Sequence, residues 1–415
     1  MRISSSLFFQ NGLNTVNTQQ GDLMHLFQQL GSGRRMVSPA DDPLAAAQAI
    51  NLGQSQALNQ RHAENRAVLK TNLATEDDAL HSATLLLQDL KTNLVEAGNG
   101  TLTDADRAAL AEVLQSTRDT LMGIANRADG NGQYLFSGQA GSEPAFDAAS
   151  GNYIGDTGLR NIQADATRQI AANDIGSVVF SKAPEGSQHY VSSAKAGNTG
   201  TGHIAAPVVV NSRHGFLGGA FTVSFQSTGN GELAYVLTGT DASGNTLSQA
   251  PVSYDPKAGV ILIGDANDTA LRVAFTGTPA AGDSFDVVPA ADADLNIFKT
   301  LDTLTAVLKG PVASEAQAQT EMANVLSSAM QKVDLNYDQL LSVRASVGTR
   351  LNELDALDSA GEQRNLGYSN RLSQLEDVDY YTVVSQLQLR SAALEAAAMA
   401  FKQIQNTSLF IMGSK

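Results

Sequence analysis

Prolines divide this 415-residue chain into two long proline-free arms and a turn-rich centre. A long helix excludes proline, because its ring clashes with the preceding turn and it lacks a backbone N–H. No proline occurs at 44–143 or at 312–415, whereas 20 of the 36 glycines lie at 141–290. The sequence therefore predicts helices from both ends of the chain and a β-rich segment between them.

The acidic, cysteine-free composition disfavours several functional classes. A formal net charge of −15 argues against nucleic-acid binding, because the phosphate backbone repels an acidic surface. With no cysteine in the chain, disulfides, thiolate zinc sites and cysteine nucleophiles are excluded. No apolar run is long enough to span a bilayer, so membrane insertion is not expected. The first 20 residues also lack the apolar core of a cleaved signal peptide.

Apolar residues recur at alternating spacings of three and four along both arms, which is typical of helices that pack in a left-handed coil. In the amino-terminal arm this stripe contains Phe9, Leu13, Val16, Leu23, Phe27 and Leu30. In the carboxyl-terminal arm it contains Val383, Leu387, Leu394, Phe401, Ile404 and Ile411. Similar stripes at 69–94, 110–124 and 326–354 are interpreted as ordinary bundle cores.

The two ends differ from the rest of the chain in charge. Residues 1–40 and 380–415 each hold three basic and one acidic residue, which leaves −19 for 41–379. A single helix with so narrow an apolar stripe buries too little surface to offset its loss of conformational entropy. We therefore expect the ends to be frayed in a monomer and to order only by packing together and against neighbouring copies in a homo-oligomer.

The centre has the alternating pattern of β-strands. FTVSF and ELAYVL flank Asn230-Gly231, the strongest short signal for a hairpin. GVILIG and ALRVAF predict a second hairpin, SFDVV a further strand, and QYLFSG, NYIGD and GSVVF short strands beside the helices.

The fold class predicted is thus α+β: a long-helix bundle and coiled coil built from both termini, with a mostly-β insert. The domains predicted are a terminal coiled coil (1–40 with 375–415), a helical bundle with a short hairpin region (41–182 with 291–374) and a surface-exposed β domain (183–290).

Patterns that indicate catalysis are missing from the sequence. The six histidines have no metal-ligand spacing, and the glycine-rich 197–203 lacks the Lys-Ser/Thr pair of a phosphate loop. Asp41-Asp42 and Asp77-Asp78 are adjacent, so each pair points to different helix faces. We predict no catalytic, cofactor or metal site, and an enzyme hidden in 180–290 remains an alternative.

Two loops have a specific character. In GSGRRMVSPADDP (31–43), Asp42 suits a helix N-cap and Pro43 the first helical position. Arg34 and Arg35, together with the acidic Asp41 and Asp42, are either part of a plain connector or pair with a neighbouring copy. In ANRADGNGQYLFSG (125–138) a helix is expected to end and a hairpin to begin. That hairpin would place Tyr134 and Phe136 on one strand face.

These segments resemble the bacterial flagellin and hook-associated protein family. The resemblance rests on QQLGSGRRMVSPADDPLAAAQAI (28–50), on the 125–138 segment, and on YTVVSQLQLRSAALEAAAMAFKQIQNTSLF near the carboxyl terminus. It covers 1–180 and 292–415. The segments DPLAAA and GNGQYLFSG resemble the junction subunits of the family more than its flagellins. The motif residues are Asn126, Asn131, Gly132, Tyr134 and Phe136.

The resemblance implies a structural adaptor that joins the flagellar hook, through a first junction protein, to the flagellin filament. It also implies type III export without a cleaved signal, an extracellular location and terminal helices that assemble head to tail. A cytoplasmic export chaperone would cover Leu387, Leu394, Phe401 and Ile404 before export. Filament flagellin and, further off, a type III secretion tip or translocator protein remain alternatives.

Overall fold

In the computed structural model the chain is described at residues 5–130, 132–228, 231–265, 268–312 and 315–412. It divides into two compact units. The terminal unit comprises 1–65 and 356–415, and the middle unit comprises 66–355. The three-domain division expected from the sequence stays a prediction.

Long helices form both proline-free arms, as predicted. The helices are α1 (Ser5–Ser32), α2 (Pro43–Ala97), α3 (Asp104–Ala125), α4 (Gly176–Ser181), α5 (Ile297–Leu308), α6 (Ala316–Glu376) and α7 (Tyr380–Met412). In the described part of the chain, none of them is long and apolar enough to cross a membrane.

The strands are all short and lie between α3 and α5. They are β1 (Asn161–Asp165), β2 (Arg168–Ala171), β3 (Tyr190–Ala194), β4 (His203–Ile204), β5 (Val208–Val209), β6 (Ala220–Ser227), β7 (Leu233–Thr240), β8 (Thr246–Ser248), β9 (Val252–Ser253), β10 (Val260–Asp265), β11 (Asp268–Thr276) and β12 (Ser284–Pro289). All their pairings are antiparallel.

Two larger sheets share one apolar core. One sheet has the order β3-β12-β6-β7-β8 with β9 beside β7, and the other has β10-β11-β4 with β5 beside β11. Strand β6 buries alternate residues, as period-two patterning requires. The rings of Phe225, Phe275 and Phe285 meet edge to face between the sheets, with centroids 5.1 to 6.0 Å apart. Buried residues of both sheets form a single cluster, so the two sheets pack against each other within the middle unit.

Both predicted hairpins and the SFDVV strand are present. Strands β6 and β7 pair from Ala220↔Thr240 to Ser227↔Leu233, and Gly231 in their turn has a positive φ of 80°. Asn230 lies outside the described residues. Strands β10 and β11 form the second hairpin, which closes at Asp265↔Asp268.

Three short strands expected beside the helices differ from the structure. QYLFSG and NYIGD contribute only isolated bridges, Ala128↔Tyr134 and Phe146↔Tyr153. GSVVF forms the helix α4 instead, which places Gly176, Val179 and Phe180 on one buried face. Its apolar run suits a strand or a helix equally, and packing against a nearby aromatic cluster favours the helix.

The stripe of the inner helices is the core of the middle unit. The apolar residues Leu69, Leu73, Leu80, Leu87, Leu90 and Leu94 of α2 are at most 1% exposed. Helix α3 begins with a capping box, in which Thr103 and Asp106 exchange side-chain and backbone hydrogen bonds. Helix α5 is capped by Asn296, whose side chain accepts from two backbone N–H groups.

Candidate assembly surface

Helices α1 and α7 pack against each other inside one chain. Leu26, Val378 and Val383 are 7 to 8% exposed, and Leu30 and Leu387 pack against them half-buried. Asp22 of α1 also pairs with Arg390 of α7. The terminal helices therefore have a small core of their own.

The inner face of α1 follows a different register from the predicted stripe. Leu13 is 40% and Phe27 51% exposed, although both belong to that stripe, whereas Leu26, which does not, is buried. Two heptad stripes overlap on α1. The stripe that faces inward is not the predicted one but a second one, which contains Val16, Gln19, Leu23, Leu26 and Leu30. The side chains of Phe9, Phe401, Ile404 and Ile411 lie outside the described residues.

In α7, by contrast, the predicted stripe lies on the inner face of the helix. Val383 is buried and Leu387 and Leu394 are half-buried on the face turned toward the chain itself. At least Val383 and Leu387 therefore already have partners within one copy. Their role in contacts between copies stays a prediction.

Both terminal helices leave large apolar side chains exposed on their other faces. On α1 these are Leu7 (53%), Leu13, Met24 (63%) and Phe27. On α7 they are Tyr380 (56%), Tyr381 (85%), Val384 (40%), Leu389 (72%) and Met399 (66%). Large apolar side chains that are exposed together in this way are typical of surfaces that bind another molecule.

The loop after α1 is fastened to the segment before α7 by the backbone. Gly33 has a positive φ of 69°, which ends α1. The Arg35 N–H donates to the Glu376 carbonyl at 2.6 Å, and the Val378 N–H donates to the Gly33 carbonyl at 3.0 Å. This short two-stranded pairing fixes the start of α7 beside the end of α1.

The two arginines of this loop also contact groups of the same chain. The Arg35 guanidinium donates to the Leu375 carbonyl at 3.0 and 3.2 Å and to Asp42 at 3.3 Å. Arg34 lies 3.7 Å from the Glu376 carboxylate, and its side chain is 65% exposed. Arg35 is thus used within one copy, and pairing of either arginine with a neighbouring copy stays a prediction.

Asp41 and Asp42 organise the same loop. Asp42 accepts the Ala45 N–H at 3.0 Å, which confirms it as the N-cap of α2, and Pro43 is the first helical residue. That N–H lowers the pKa of the Asp42 carboxyl. The Ser38 N–H and the side chain of His25, 3.2 Å away, hold the pKa of Asp41 below its usual value.

In the motif at 125–138, α3 ends and a short hairpin begins, as predicted. The Leu135 N–H donates to the Arg127 carbonyl at 3.0 Å and the Asp129 N–H to the Gln133 carbonyl at 2.7 Å, on either side of the Ala128↔Tyr134 bridge. Asn126 exchanges two 2.8 Å hydrogen bonds with the backbone of Phe146. Gly132 has a positive φ of 81°, and Asn131 lies outside the described residues. Tyr134 is half-buried and Phe136 is fully buried, and their position on one strand face stays a prediction.

Phe136 belongs to an aromatic cluster whose rings pack mostly edge to face. The cluster consists of Phe136, Phe146, Tyr153, Phe180 and Phe298. The Tyr153 hydroxyl donates to the Asp156 carbonyl at 2.6 Å. Burial, and then the charge of Asp156, raise the pKa of Tyr153 to about 12. The motif therefore has a structural role in the middle unit.

A cleft of about 490 Å³ lies between α5, α6 and the 193–202 loop. Asn324 uses both ends of its amide there, accepting from the Ile204 N–H and donating to the Gly202 carbonyl. Lys332 is half-buried in the cleft, and this partial burial lowers the pKa of its amine. Among the described residues, no group of three His, Cys, Asp or Glu is placed to hold a metal ion.

The sequence is similar to known proteins over its whole length. The model of the bacterial flagellin N-terminal helical region matches residues 3–141. Flagellar hook-associated protein 3 of Salmonella typhimurium is 28% identical over 410 residues, which are 99% of each chain. The chain is a full-length relative of flagellar hook-associated protein 3. By contrast, the flagellin of Bacillus subtilis is 28% identical over only 42% of this chain.

The fold agrees with this relationship. The solved flagellar junction protein of Legionella pneumophila has 26% identity and a TM-score of 0.62, covering 80% of this chain and all of that one. The predicted fold class, long terminal helices around a central antiparallel β region, is confirmed.

Proposed function

We propose that this chain is a structural subunit of the bacterial flagellum that joins the hook to the flagellin filament. The observation that carries the proposal is the similarity to flagellar hook-associated protein 3, which extends through both terminal helices and the β insert. The flagellin alternative is weaker, because the Bacillus subtilis match leaves more than half of the chain unmatched. A polar flagellin of Vibrio parahaemolyticus matches 99% of the chain, but at only 23% identity.

The exposed faces of α1 and α7 are the assembly surface in this proposal. One copy buries Leu26 and Val383 against itself but leaves Met24, Phe27 and Leu389 in water. Covering each such side chain contributes about 1.5–3 kcal/mol. Packing of these faces against neighbouring copies, head to tail, would form a homo-oligomer that continues into flagellin on one side and another hook-associated protein on the other.

Low charge at both ends supports close packing of copies. Residues 1–40 and 380–415 each carry only three basic and one acidic residue, whereas the rest of the chain carries −19. Repulsion between copies is therefore weakest at the terminal helices.

Export before assembly fits the same features. In an unfolded chain the segments that form α1 and α7 do not pack together. Val383, Leu387 and Leu394 are then exposed, in addition to the apolar residues that the folded helix pair already exposes. We infer that a cytoplasmic export chaperone covers this stripe until the chain leaves the cell through the flagellar type III channel. The chain then orders outside the cell, where its lack of cysteine avoids crosslinking.

The test is an in-frame deletion in the source bacterium, with the wild-type gene restored as the control. Electron microscopy of the cells and detection of flagellin in the medium are the readouts. Bare hooks with flagellin shed as monomer support a junction subunit. Loss of filaments with no flagellin in the medium or on the cells would show instead that the chain is the filament protein. Intact filaments would leave the secretion-system alternative.

A further inference from the structure

A glutamate occupies a core position in the leucine stripe of α2. Leu73 and Leu80 are fully buried, and Glu76 between them is only 1% exposed. Burying an ionised carboxylate costs several kcal/mol unless a cation or hydrogen-bond donors compensate it. What surrounds Glu76 therefore decides its charge.

Two other ionisable groups meet Glu76 in the middle unit. The Asp174 N–H, in the loop between β2 and α4, donates to Glu76 Oε1 at 2.9 Å. Arg350 of α6 donates to the Asp174 carboxylate, and at 3.1 Å to the Ala171 carbonyl. Glu76 Oε2 is fully buried and accepts no hydrogen bond from the described residues.

The guanidinium of Arg350 is committed to Asp174 rather than to Glu76. Two nearby ion pairs that involve the same helices are formed by other residues: Asp77 with Arg344 at 2.9 Å, and Glu353 with Arg168. The carboxyl groups of Glu76 and Asp174 are thus neighbours of a single cation, Arg350, and only Asp174 bonds to it directly. A proton on Glu76 removes the excess negative charge and lets Oε2 donate toward Asp174.

We propose that Glu76 is protonated in the folded middle unit and ionises when that unit unfolds, so that folding takes up one proton. The unit is then less stable at neutral than at mildly acidic pH, and the Glu76–Asp174–Arg350 cluster acts as a built-in pH-dependent weak point. This inference does not depend on the proposed function.

The direction of the titration agrees with the geometry. Burial raises the pKa of Glu76 well above its ordinary 4.5, the charge of Asp174 raises it further, and Arg350 opposes both. A folded-state pKa above the unfolded one gives a stabilisation that is complete below pH 4.5 and disappears as pH rises through the folded value. Between the two values the folding equilibrium constant falls about tenfold per pH unit.

This pH dependence matters for the export proposed above, in which the chain passes through the channel unfolded. At neutral pH the ionised glutamate is accommodated better in the unfolded chain, which favours unfolding. In the export proposed above, this would ease passage of an otherwise well-packed unit. In mildly acidic surroundings the same cluster favours the folded state.

The test compares urea unfolding of the full-length protein between pH 5 and pH 8 with that of three variants. Glu76→Gln removes the titration, and Glu76→Leu removes it while restoring the apolar stripe. Glu96→Gln, an exposed glutamate on the same helix, is the matched control. We expect the unfolding midpoint of the wild type and of Glu96→Gln to fall as pH rises, and both Glu76 variants to show a shallower fall.

A direct readout is the carboxylic acid C=O band in the infrared spectrum of the folded protein at pH 7. We expect this band in the wild type and in Glu96→Gln, and its loss in Glu76→Gln or Glu76→Leu. Equal pH dependence of all four proteins, or no such band in the wild type, would show that Glu76 is ionised and would overturn the proposal.

Discussion

Asn126 and Phe146 are joined by two hydrogen bonds of 2.8 Å each. The Asn126 side-chain nitrogen donates to the Phe146 carbonyl oxygen, and the Phe146 N–H donates to Asn126 Oδ1. The side chain thereby pairs with this backbone as a neighbouring strand would. It holds the end of α3 against the segment that places Phe146 in the aromatic cluster.

Replacing this asparagine should weaken the middle unit. Asn126→Ala leaves both backbone groups of the buried Phe146 without a partner, which we expect to lower the free energy of unfolding by about 1–3 kcal/mol. Urea unfolding followed by circular dichroism measures the change. Asn161→Ala, at an exposed asparagine of β1, is the control and should change stability by less than about 0.5 kcal/mol. Equal effects would mean that the two bonds contribute nothing specific.

Neighbouring residues of α1 should separate folding from assembly. Leu26→Ala removes a side chain buried against α7, so we expect the terminal unit to lose about 2 kcal/mol of stability. Phe27→Ala removes an exposed ring and should leave that stability nearly unchanged while reducing self-association. Hydrogen exchange of α1 and α7 measures the first effect, and sedimentation of the concentrated protein measures the second. Undiminished association of Phe27→Ala would exclude this face from the interface.

The two loop arginines should behave differently within one copy. Arg35→Ala loses hydrogen bonds to the Leu375 carbonyl and to Asp42, so we expect the pairing of the loop with the start of α7 to weaken by about 1 kcal/mol. The measurement is hydrogen exchange at the Val378 N–H, which donates to Gly33. Arg34→Ala removes only a long, exposed contact and should change this rate little. Faster exchange in Arg34→Ala than in Arg35→Ala would contradict the geometry.

Asp156 should make part of the stability sensitive to acid. Its carboxylate accepts from the N–H groups of Gln139, Ala140 and Gly158 at 2.7 to 2.8 Å, and the bond from Gln139 is the main cause that lowers its pKa below 3.8. The stabilisation is therefore complete above the ordinary value and is lost as pH falls through the folded one.

The variant Asp156→Asn tests this. We expect it to lower the melting temperature at pH 6 and the difference from wild type to shrink as pH falls below about 4. The exposed Asp89→Asn of α2 is the control and should show no such pH-dependent difference. A difference that stays constant with pH would mean that charge on Asp156 does not matter.

Local signals in the sequence predicted the elements of the fold. The proline-free arms and their heptads predicted the long helices, because a continuous helix needs both an unbroken N–H ladder and a repeating apolar face. Alternation about Asn230-Gly231 predicted the β6–β7 hairpin, and Asp42 with Pro43 predicted the start of α2. Each of these depends on neighbours within a few residues.

Other features depended on residues far apart in the chain. GSVVF became α4 because Gly176 and Phe180 meet the rings of Phe136 and Phe146, which no local pattern reveals. The relevance of the 125–138 motif came from its resemblance to a family, and its physical role, the Asn126–Phe146 pairing, was visible only in the structure. Val378 lies outside any heptad, and no local signal indicated its burial.

By itself the sequence determined that α1 and α7 exist, that both carry apolar stripes and that their ends are poor in charge. Only the tertiary structure decided which stripe faces inward, burying Leu26 and leaving Phe27 exposed. The physical reason is that two heptads overlap on α1, each interrupted by one glutamine, so their intrinsic preferences are nearly equal. Packing against Val383 of α7, more than 350 residues away in the chain, selects between them.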